Sequence, residues 1–349
     1  MALQDRNRVV VLEDRVENIS GAEFPLSFDE QQVPFTLASF KETFDIKIIR
    51  VTPTDIEFDL IGIDASIANA LRRILIAEIP TMAIEKVYMV NNTGIVQDEV
   101  LAHRLGLIPI KADPDEFQWK RADEQPTDQN TLVFRLDIAC SRNPEAAADE
   151  TDNRVKYING SVYSGQLAWI PQGDQETRFA AEPIRPVHED ILVTKMRPGQ
   201  QIVCEMHCVK GVGKDHAKFS PVSTASYRLL PEIQILEDIT GEDADAFAAC
   251  FAPGVIEVVE ERGVRVARVA NARKDTVSRE VLRHKRFEGK VRLTRVRDHF
   301  IFNVESTGIV PPQKLVSQAL DVLMEKCDIA KAALAQATSG GNSNEMDEE

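Results

Sequence analysis

Two stretches of the chain carry apolar residues at helical spacing. The first follows Asp64, a residue favoured at helix N-caps, and stops at Pro80; its apolar residues are Ile67, Leu71, Ile74, Leu75 and Ile79. The second opens at Pro311-Pro312, because proline is favoured in the first helical turn. Its apolar residues have the 4-3 spacing of a heptad seam, and they are Val316, Leu320, Leu323, Cys327, Ala330 and Leu334. The pattern predicts two amphipathic helices, the second with an apolar face wide enough for a partner helix.

Apolar runs bounded by turn residues predict strands in the rest of the chain. The predicted strands cover residues 44–51, 56–61, 84–90, 131–140, 162–170, 191–194, 201–209, 227–236, 254–260, 264–269 and 289–304. Two further helices are predicted over 96–107 and 241–251. This order of elements indicates an α+β fold, a sheet with packed helices.

The composition of the sequence changes near residue 110, and the earlier composition returns near residue 221. Between these points lie polar, acidic and proline-containing segments that separate short strands, which is typical of a distinct β-rich module with loose loops. The predicted organisation is an arm over 1–40, an α/β domain over 41–110 and 219–336, an inserted β-rich domain over 111–218, and a disordered acidic tail over 337–349.

Composition favours a globular protein in a reducing compartment. Of 349 residues, 43% are hydrophobic and 28% are charged, and no run approaches the roughly 20 apolar residues of a membrane helix. The N-terminus lacks the apolar core of a secretion signal. The five cysteines are scattered and odd in number, which suits thiols packed as small hydrophobic groups.

Charge is unevenly distributed, with a net charge of -15 for the whole chain. Residues 262–297 contain 13 lysines and arginines against Asp275, Glu280 and Glu288. A strand pair with a solvated basic side is the favoured interpretation of this run. An acidic docking face and a nucleic-acid-binding module remain as alternatives.

Two local patterns suggest cofactors, but neither is complete. Cys204 and Cys208 would share one face of a strand while His207 points to the other, and no second cluster supplies the remaining ligands of a zinc site. Residues 211–214 read Gly-Val-Gly-Lys, but the Walker spacing is missing and Asp215 follows the lysine. The segment 210–221 is therefore a solvated loop or a partner contact. No nucleophile or acid–base pair is recognisable, so an enzyme acting alone is not expected.

The first predicted helix contains Asn69-Ala70-Leu71-Arg72-Arg73-Ile74-Leu75, which resembles the signature helix of the RNA polymerase alpha family. Residues 84–90, 99–109, 209–221 and 291–308 and the C-terminal helix extend the resemblance to about residues 41–336. Among eukaryotic members, the match favours those of polymerases I and III.

The resemblance implies a non-catalytic assembly subunit in the nucleus, including the nucleolus. It implies a dimerisation domain of residues 41–110 and 219–336, interrupted by the insert. The signature and C-terminal helices would pair with a smaller alpha-like subunit, and Arg73 would face the second-largest subunit. Further expected partners are the largest subunit and the small zinc-binding shared subunits; membrane and direct DNA contacts are not expected.

The expected partner-binding residues are Asn69, Leu71, Arg72, Arg73, Leu75, Lys214, Lys218, Val316, Leu320, Leu323 and Cys327. Some relatives hold zinc or an iron–sulfur cluster in the insert. This insert contains only Cys140, Cys204 and Cys208, without either spacing, so no metal, other cofactor or catalytic residue is expected. The bacterial DNA-binding C-terminal domain has no expected counterpart.

Overall fold

The computed structural model describes residues 8–19, 36–147 and 149–340, and it confirms the predicted α+β class. The helices are α1 (Leu37–Thr43), α2 (Ala65–Ala77), α3 (Asp98–Gly106), α4 (Asn153–Lys156), α5 (Gln175–Arg178), α6 (Glu242–Ala249) and α7 (Pro312–Gly340). The strands are β1 (Arg8–Val11), β2 (Val16–Glu17), β3 (Asp45–Val51), β4 (Asp55–Ile61), β5 (Pro80–Asn92), β6 (Ile110–Lys111), β7 (Leu132–Ala139), β8 (Ser141–Arg142), β9 (Tyr157–Ile158), β10 (Ser161–Tyr163), β11 (Ala168–Trp169), β12 (Arg185–Pro186), β13 (Leu192–Lys195), β14 (Gln201–Val212), β15 (Val222–Ile235), β16 (Ile256–Glu261), β17 (Val264–Val269) and β18 (Val291–Ser306).

The chain divides into two compact units. The first unit contains Met1–Arg50, Glu57–Ala70 and Ser226–Asn303, and the second contains Val51–Ile56, Leu71–Ala225 and Val304–Glu349. The domain boundaries expected from the sequence, at residues 110/111 and 218/219, stay predictions.

The first unit is built mainly on a six-stranded sheet in the order β2-β1-β18-β4-β3, with β15 also paired to β18. Strand β1 runs antiparallel to β18, and Val9 lies opposite Arg295. Aromatic side chains pack within the unit: the Phe58 and Phe302 rings stack with centroids 5.2 Å apart, and Tyr227 contacts Phe302 at 5.3 Å. The long central strand β18 therefore organises this unit.

A buried ionic network lies on β4 and β18 in the same unit. Asp59 is only 4% exposed, and its Oδ2 accepts hydrogen bonds from Arg273 at 2.8 Å and His299 at 2.9 Å. Arg273 also pairs with Glu57 at 2.7 Å. Burial opposes ionisation of Asp59, but the hydrogen bonds from Arg273 and His299 outweigh it and lower the pKa of this carboxyl. The network fastens residues 272–274 to the sheet.

The second unit contains a four-stranded sheet in the order β11-β7-β14-β5. Strands β5 and β14 pair antiparallel from Pro80↔Val212 to Asn92↔Ile202. Helix α3 buries Leu101 and Leu105, which join a core that includes Phe134 and Met206. Most residues of this core fall within 111–218, the range that the sequence predicts as the insert.

Three sequence predictions need correction. The arm expected over residues 1–40 contributes β1, whose Val9 and Val11 are buried, and α1, whose N-cap Thr36 accepts a hydrogen bond from the Ser39 backbone N–H. The strand expected over 162–170 is broken at Ser164, because its hydroxyl donates to the His188 carbonyl and accepts from the Ile191 N–H. The terminal helix includes residues 337–340, which were expected to be disordered; the rest of the predicted tail, 341–349, lies outside the described residues, as do 1–7 and 20–35 of the arm.

Replacing Asp59 with Asn tests the buried network. At about pH 7 we expect the free energy of unfolding to fall by about 3 kcal/mol, because Arg273 and His299 lose a charged acceptor while remaining partly buried. Since folding lowers the Asp59 pKa, this contribution is fully present above about pH 4, the ordinary pKa of Asp, and is lost as the pH falls through the folded-state value. Chemical denaturation at several pH values measures the difference.

The control is Glu17→Gln, which removes an exposed ion pair to Arg15 and should change stability by less than about 1 kcal/mol. A difference between the Asp59→Asn and native chains that persists unchanged in acid would show that packing, rather than charge, stabilises this position.

Candidate partner-binding surface

Helix α2, the signature helix, begins where the sequence predicts. The Asp64 carboxylate accepts a hydrogen bond from the Ser66 backbone N–H at 2.8 Å, which satisfies one free donor of the first turn. This bond and the one from the Ser66 hydroxyl lower the pKa of Asp64. The cap therefore sets the residue at which the helix begins.

The expected contact residues of the signature helix fall into two groups. Leu71 and Leu75 are 3% and 0% exposed, so these side chains belong to the core of the chain itself and offer a partner almost no surface. Asn69 and Arg72 are half-buried and have contacts within the chain. Arg73 is exposed, and its guanidinium has no hydrogen-bond or ion-pair partner within residues 8–19, 36–147 and 149–340. Of these five residues, Arg73 is the one most available to another protein.

Residues 211–214, the glycine loop, close the C-terminal end of the signature helix. The Lys214 backbone N–H donates to the Ala77 carbonyl at 2.8 Å. A Cβ on Gly213 would lie 2.2 Å from the Ile76 carbonyl oxygen, and one on Gly211 would lie 2.6 Å from the Phe219 ring. The two glycines are therefore needed for close packing. The loop caps the C-terminal end of a helix, whereas a phosphate-binding loop would bind an anion.

The two lysines of this segment differ in their surroundings. Lys214 is exposed beside the end of the signature helix. The Lys218 side chain is only 12% exposed, and its ammonium donates to the Ile84 carbonyl at 2.8 Å and pairs with Glu85 at 2.6 Å. Lys218 thus holds β5 from inside the chain and has little surface for a partner.

Helix α7, the terminal helix, is packed at its start and uncovered further on. Leu315 and Ala319 are fully buried, whereas Val316 and Leu323 are half-buried. Leu320 is 42% exposed and Leu334 is 66% exposed. Every residue from 324 to 338 is exposed, including Cys327 and the apolar side chains of Met324 and Ile329. Most of the predicted seam is therefore an uncovered apolar surface.

The terminal and signature helices are tied together at one point. The Lys326 ammonium lies 2.8 Å and 2.9 Å from the two carboxylate oxygens of Glu78, one residue beyond the signature helix. Sequence reasoning missed this ion pair because 248 residues separate its members. It places the glycine loop, the end of the signature helix and the seam in one connected region of the second unit.

The cysteine and histidine residues of β14 are arranged as their spacing predicts. Cys204 and Cys208 are buried, and His207 lies on the other face, 2.9 Å from Glu205. Burial raises the pKa of the Cys204 thiol to about 11 and raises that of Cys208 further, so both thiols are held protonated. Over the described ranges, no group of three or more His, Cys, Asp or Glu residues is placed to hold a metal ion.

Several arginines of the basic run over 262–297 are paired with acidic side chains. Arg268 bonds both oxygens of Glu261 and also Asp238, and the pKa of its guanidinium is raised by these hydrogen bonds. Further pairs are Arg265–Asp245, Arg273–Asp59, Arg283–Glu280 and Arg286–Asp243. The predicted strand pair is present as the hairpin of β16 and β17. Its Arg265 and Arg268 side chains are paired with carboxylates as well as being exposed to solvent.

A second exposed apolar segment was not anticipated. All seven residues of β3 are exposed, including Ile46, Ile48 and Ile49, although the strand lies at the edge of the six-stranded sheet. The apolar residues occupy both faces of the strand, as its sequence shows. A strand covered on only one face would not need apolar residues on both.

None of the described helices is long and apolar enough to cross a membrane.

Known proteins resemble this chain over nearly its whole length. Residues 57–327 match the RNA polymerase Rpb3/Rpb11 dimerisation domain. The chain is 54% identical over 323 residues to the Homo sapiens DNA-directed RNA polymerases I and III subunit RPAC1, covering 92% of this chain and 93% of that protein. The Saccharomyces cerevisiae protein of the same name is 49% identical over 329 residues, with coverage of 93% and 98%. DNA-directed RNA polymerase II subunit rpb3 of Dictyostelium discoideum is 30% identical over 312 residues, with coverage of 86% and 98%.

Substitution of Gly213 by Ala tests the cap on the signature helix. We expect the free energy of unfolding to fall by about 2 kcal/mol or more, because the added methyl group must push the loop away from the Ile76 carbonyl. Gly94→Ala is the matched control, since its new Cβ would meet only the side-chain oxygen of Asn92 at 3.0 Å. Denaturant titration measures both, and equal stability of the two variants would show that the loop and helix end separate at little cost.

Proposed function

The chain belongs to the RNA polymerase Rpb3/Rpb11 dimerisation-domain family, and from this premise we propose that it is a non-catalytic assembly subunit of RNA polymerases I and III. It pairs with a smaller alpha-like subunit, and the pair then gathers the second-largest and largest subunits. The assembled enzymes make ribosomal RNA precursors and small RNAs such as 5S ribosomal RNA and transfer RNA. Relatives named as subunits of polymerases I and III, at 49% and 54% identity, support this assignment.

The uncovered seam of the terminal helix is the observation that carries the proposal. A monomeric protein seldom leaves a continuous apolar face in water, since each buried apolar side chain stabilises by roughly 1.5–3 kcal/mol relative to an exposed one. Leu320 and Leu334 lie on this face, and the intervening seam residues, Cys327 and Ala330, are exposed as well. A partner helix with its own apolar stripe would remove all of these side chains from water.

The partner's helix also explains the length of the terminal helix. Residues 324–338 make few contacts with the rest of the chain that could stabilise a helix, apart from the Lys326–Glu78 pair. Isolated helices of about 15 residues are marginal in water. Packing against a second chain supplies the missing stabilisation, so pairing and helix order reinforce each other.

The second-largest subunit is proposed to contact the end of the signature helix. Arg73 and Lys214 are both exposed there, and neither side chain has an acidic partner within the described part of the chain. Cations without an acidic partner in the chain suit an acidic surface on the large subunit. Small zinc-binding shared subunits are further proposed partners, and a nuclear and nucleolar location follows from the polymerases concerned.

We predict that Leu320→Asp abolishes pairing with the smaller alpha-like subunit. The new carboxylate would be desolvated in the seam without a cation, which costs several kcal/mol and weakens binding by more than about 100-fold. Leu323→Asp should act in the same direction, with an added cost to the chain itself because Leu323 is half-buried. Co-purification of the smaller subunit with tagged chains measures recovery.

A matched pair of substitutions separates the interface from general effects on the helix. Ala330 and Ala332 are both exposed, and they point to opposite sides of the terminal helix because two residues span about 200°. Ala330→Asp should impair recovery of the smaller subunit, whereas Ala332→Asp should leave it close to the native level. Equal recovery with both would place the interface elsewhere on the chain.

We predict that Arg73→Glu leaves the alpha-like pair intact but weakens capture of the second-largest subunit. Removing a buried charge partner at an interface typically costs about 2–5 kcal/mol, and reversing its sign adds repulsion. Arg142→Glu serves as the control, since Arg142 is also exposed but lies in the insert. Assembly from purified subunits, followed by size-exclusion chromatography, measures both steps, and normal capture by the Arg73→Glu pair would make Arg73 an ordinary solvated side chain.

A further inference from the structure

Strand β18 carries a cationic stripe on one of its faces. Arg295, Arg297 and His299 alternate along the strand and therefore point the same way. His299 is satisfied by Asp59, and Arg297 donates to the backbone and side-chain oxygens of Asn18. Arg295 is half-buried, its Nε is shielded from solvent, and its guanidinium has no hydrogen-bond partner in the described part of the chain.

The segment that follows β17 adds two more arginines near Arg295. Arg279 donates to the backbone carbonyl of Glu13 at 3.2 Å. Arg228 donates to the backbone carbonyls of Asp275 at 3.1 Å and Arg273 at 2.6 Å. Because both guanidinium groups bind neutral carbonyl oxygens, these contacts position the arginines without neutralising their charge.

Asp275 is the carboxyl group that interacts with the charges of Arg228 and Arg295, and it offsets their positive charge only weakly. It is 4% exposed, and its Oδ1 accepts no hydrogen bond from the described residues. Burial raises the pKa of Asp275, while burial and the charge of Arg279 lower the pKa of Arg295. Burial is the largest cause of both shifts, and the attraction between Asp275 and Arg295 does not overcome it, so the buried carboxyl offsets the charge of Arg295 only in part.

The cluster differs from the arginines of the basic run that are paired with acids. Arg265, Arg268 and Arg286 are each bonded to carboxylates of the same unit. The loop between Asp275 and Arg279 also holds Val277 at a φ of 63°, a conformation that β-branched residues rarely adopt. Strained backbone of this kind persists where the surroundings fix a loop for a purpose, and here the loop presents Arg279 beside Arg295.

We propose that Arg279 and Arg295, with Arg228 beside them, form a docking site for a short acidic segment of another protein. A carboxylate accepts paired hydrogen bonds from a guanidinium, so one or two acidic side chains would satisfy the open donors. Nucleic acid fits less well, because its affinity comes from several phosphates neutralised in a row. Arg265 and Arg268 of the same basic run are already paired with acids, and the whole chain has a net charge of -15.

The test uses fluorescence anisotropy with the full-length chain and a labelled hexaglutamate peptide as the probe. Arg279→Gln should weaken binding at least about tenfold, which corresponds to about 1.4 kcal/mol and to the loss of a hydrogen bond between charged groups. Lys285→Gln is the matched control: it removes one exposed positive charge from the same segment and should change affinity less than about twofold.

Asp275→Asn supplies an effect of opposite sign that misfolding cannot imitate. The substitution keeps the side-chain shape and one carbonyl oxygen but removes the negative charge beside the arginines. Binding of hexaglutamate should therefore tighten about two- to fivefold. A loss of affinity in this variant would overturn the proposal.

Three other results would also overturn it. Hexaglutamate could fail to bind the native chain, or Lys285→Gln could lose as much affinity as Arg279→Gln, which would indicate diffuse attraction. A labelled DNA duplex could bind more tightly than the peptide at the same salt concentration and depend on Arg279, which would make the cluster a phosphate site.

Discussion

A backbone hydrogen bond from the Lys214 N–H to the Ala77 carbonyl joins the glycine loop to the end of the signature helix, and the proposed partner contacts of this region depend on it. It can form only because Gly213 lets the loop approach the Ile76 carbonyl. The bond ends the signature helix directly before Glu78, which holds the terminal helix through Lys326. Arg73, Lys214 and the seam therefore keep a defined arrangement within one unit, although they come from three distant stretches of sequence.

The distribution of apolar surface shows how the chain divides its side chains between itself and others. Leu71, Leu75, Leu315 and Ala319 complete the core of the chain, whereas Leu320 and Leu334 are left over on the same long helix. Strand β3 repeats this situation in the first unit with isoleucines on both of its faces. An edge strand of this kind invites pairing with another chain, and natural proteins normally cover or charge such edges. The proposed pairing with another subunit would cover the surplus on the terminal helix, and the family is one of dimerisation domains.

Sequence periodicity predicted the helices well but could not separate core from interface. The cap at Asp64 and the start at Pro311-Pro312 are confirmed, with the helix beginning at Pro312, because they depend on residues within one turn. Leu71 and Leu75 share a stripe with the motif that suggested partner contact, and only the packed structure shows that they are buried. Lys218, Glu78 and Arg273 find their partners across the fold, so no local pattern could assign them. The broken strand at Ser164 has the same origin, because its hydroxyl bonds residues more than twenty positions away.

The uncovered half of the terminal helix also bears on the amount of the protein that a cell maintains. An orphan copy displays a long apolar helix of marginal stability, the kind of segment that chaperones and proteases engage and that degrades in proportion to its unfolded population. The proposed pairing would hide this segment and order it in one step. The lifetime of the chain would then depend on the supply of its partner, and subunits made in excess would be removed without a separate counting device.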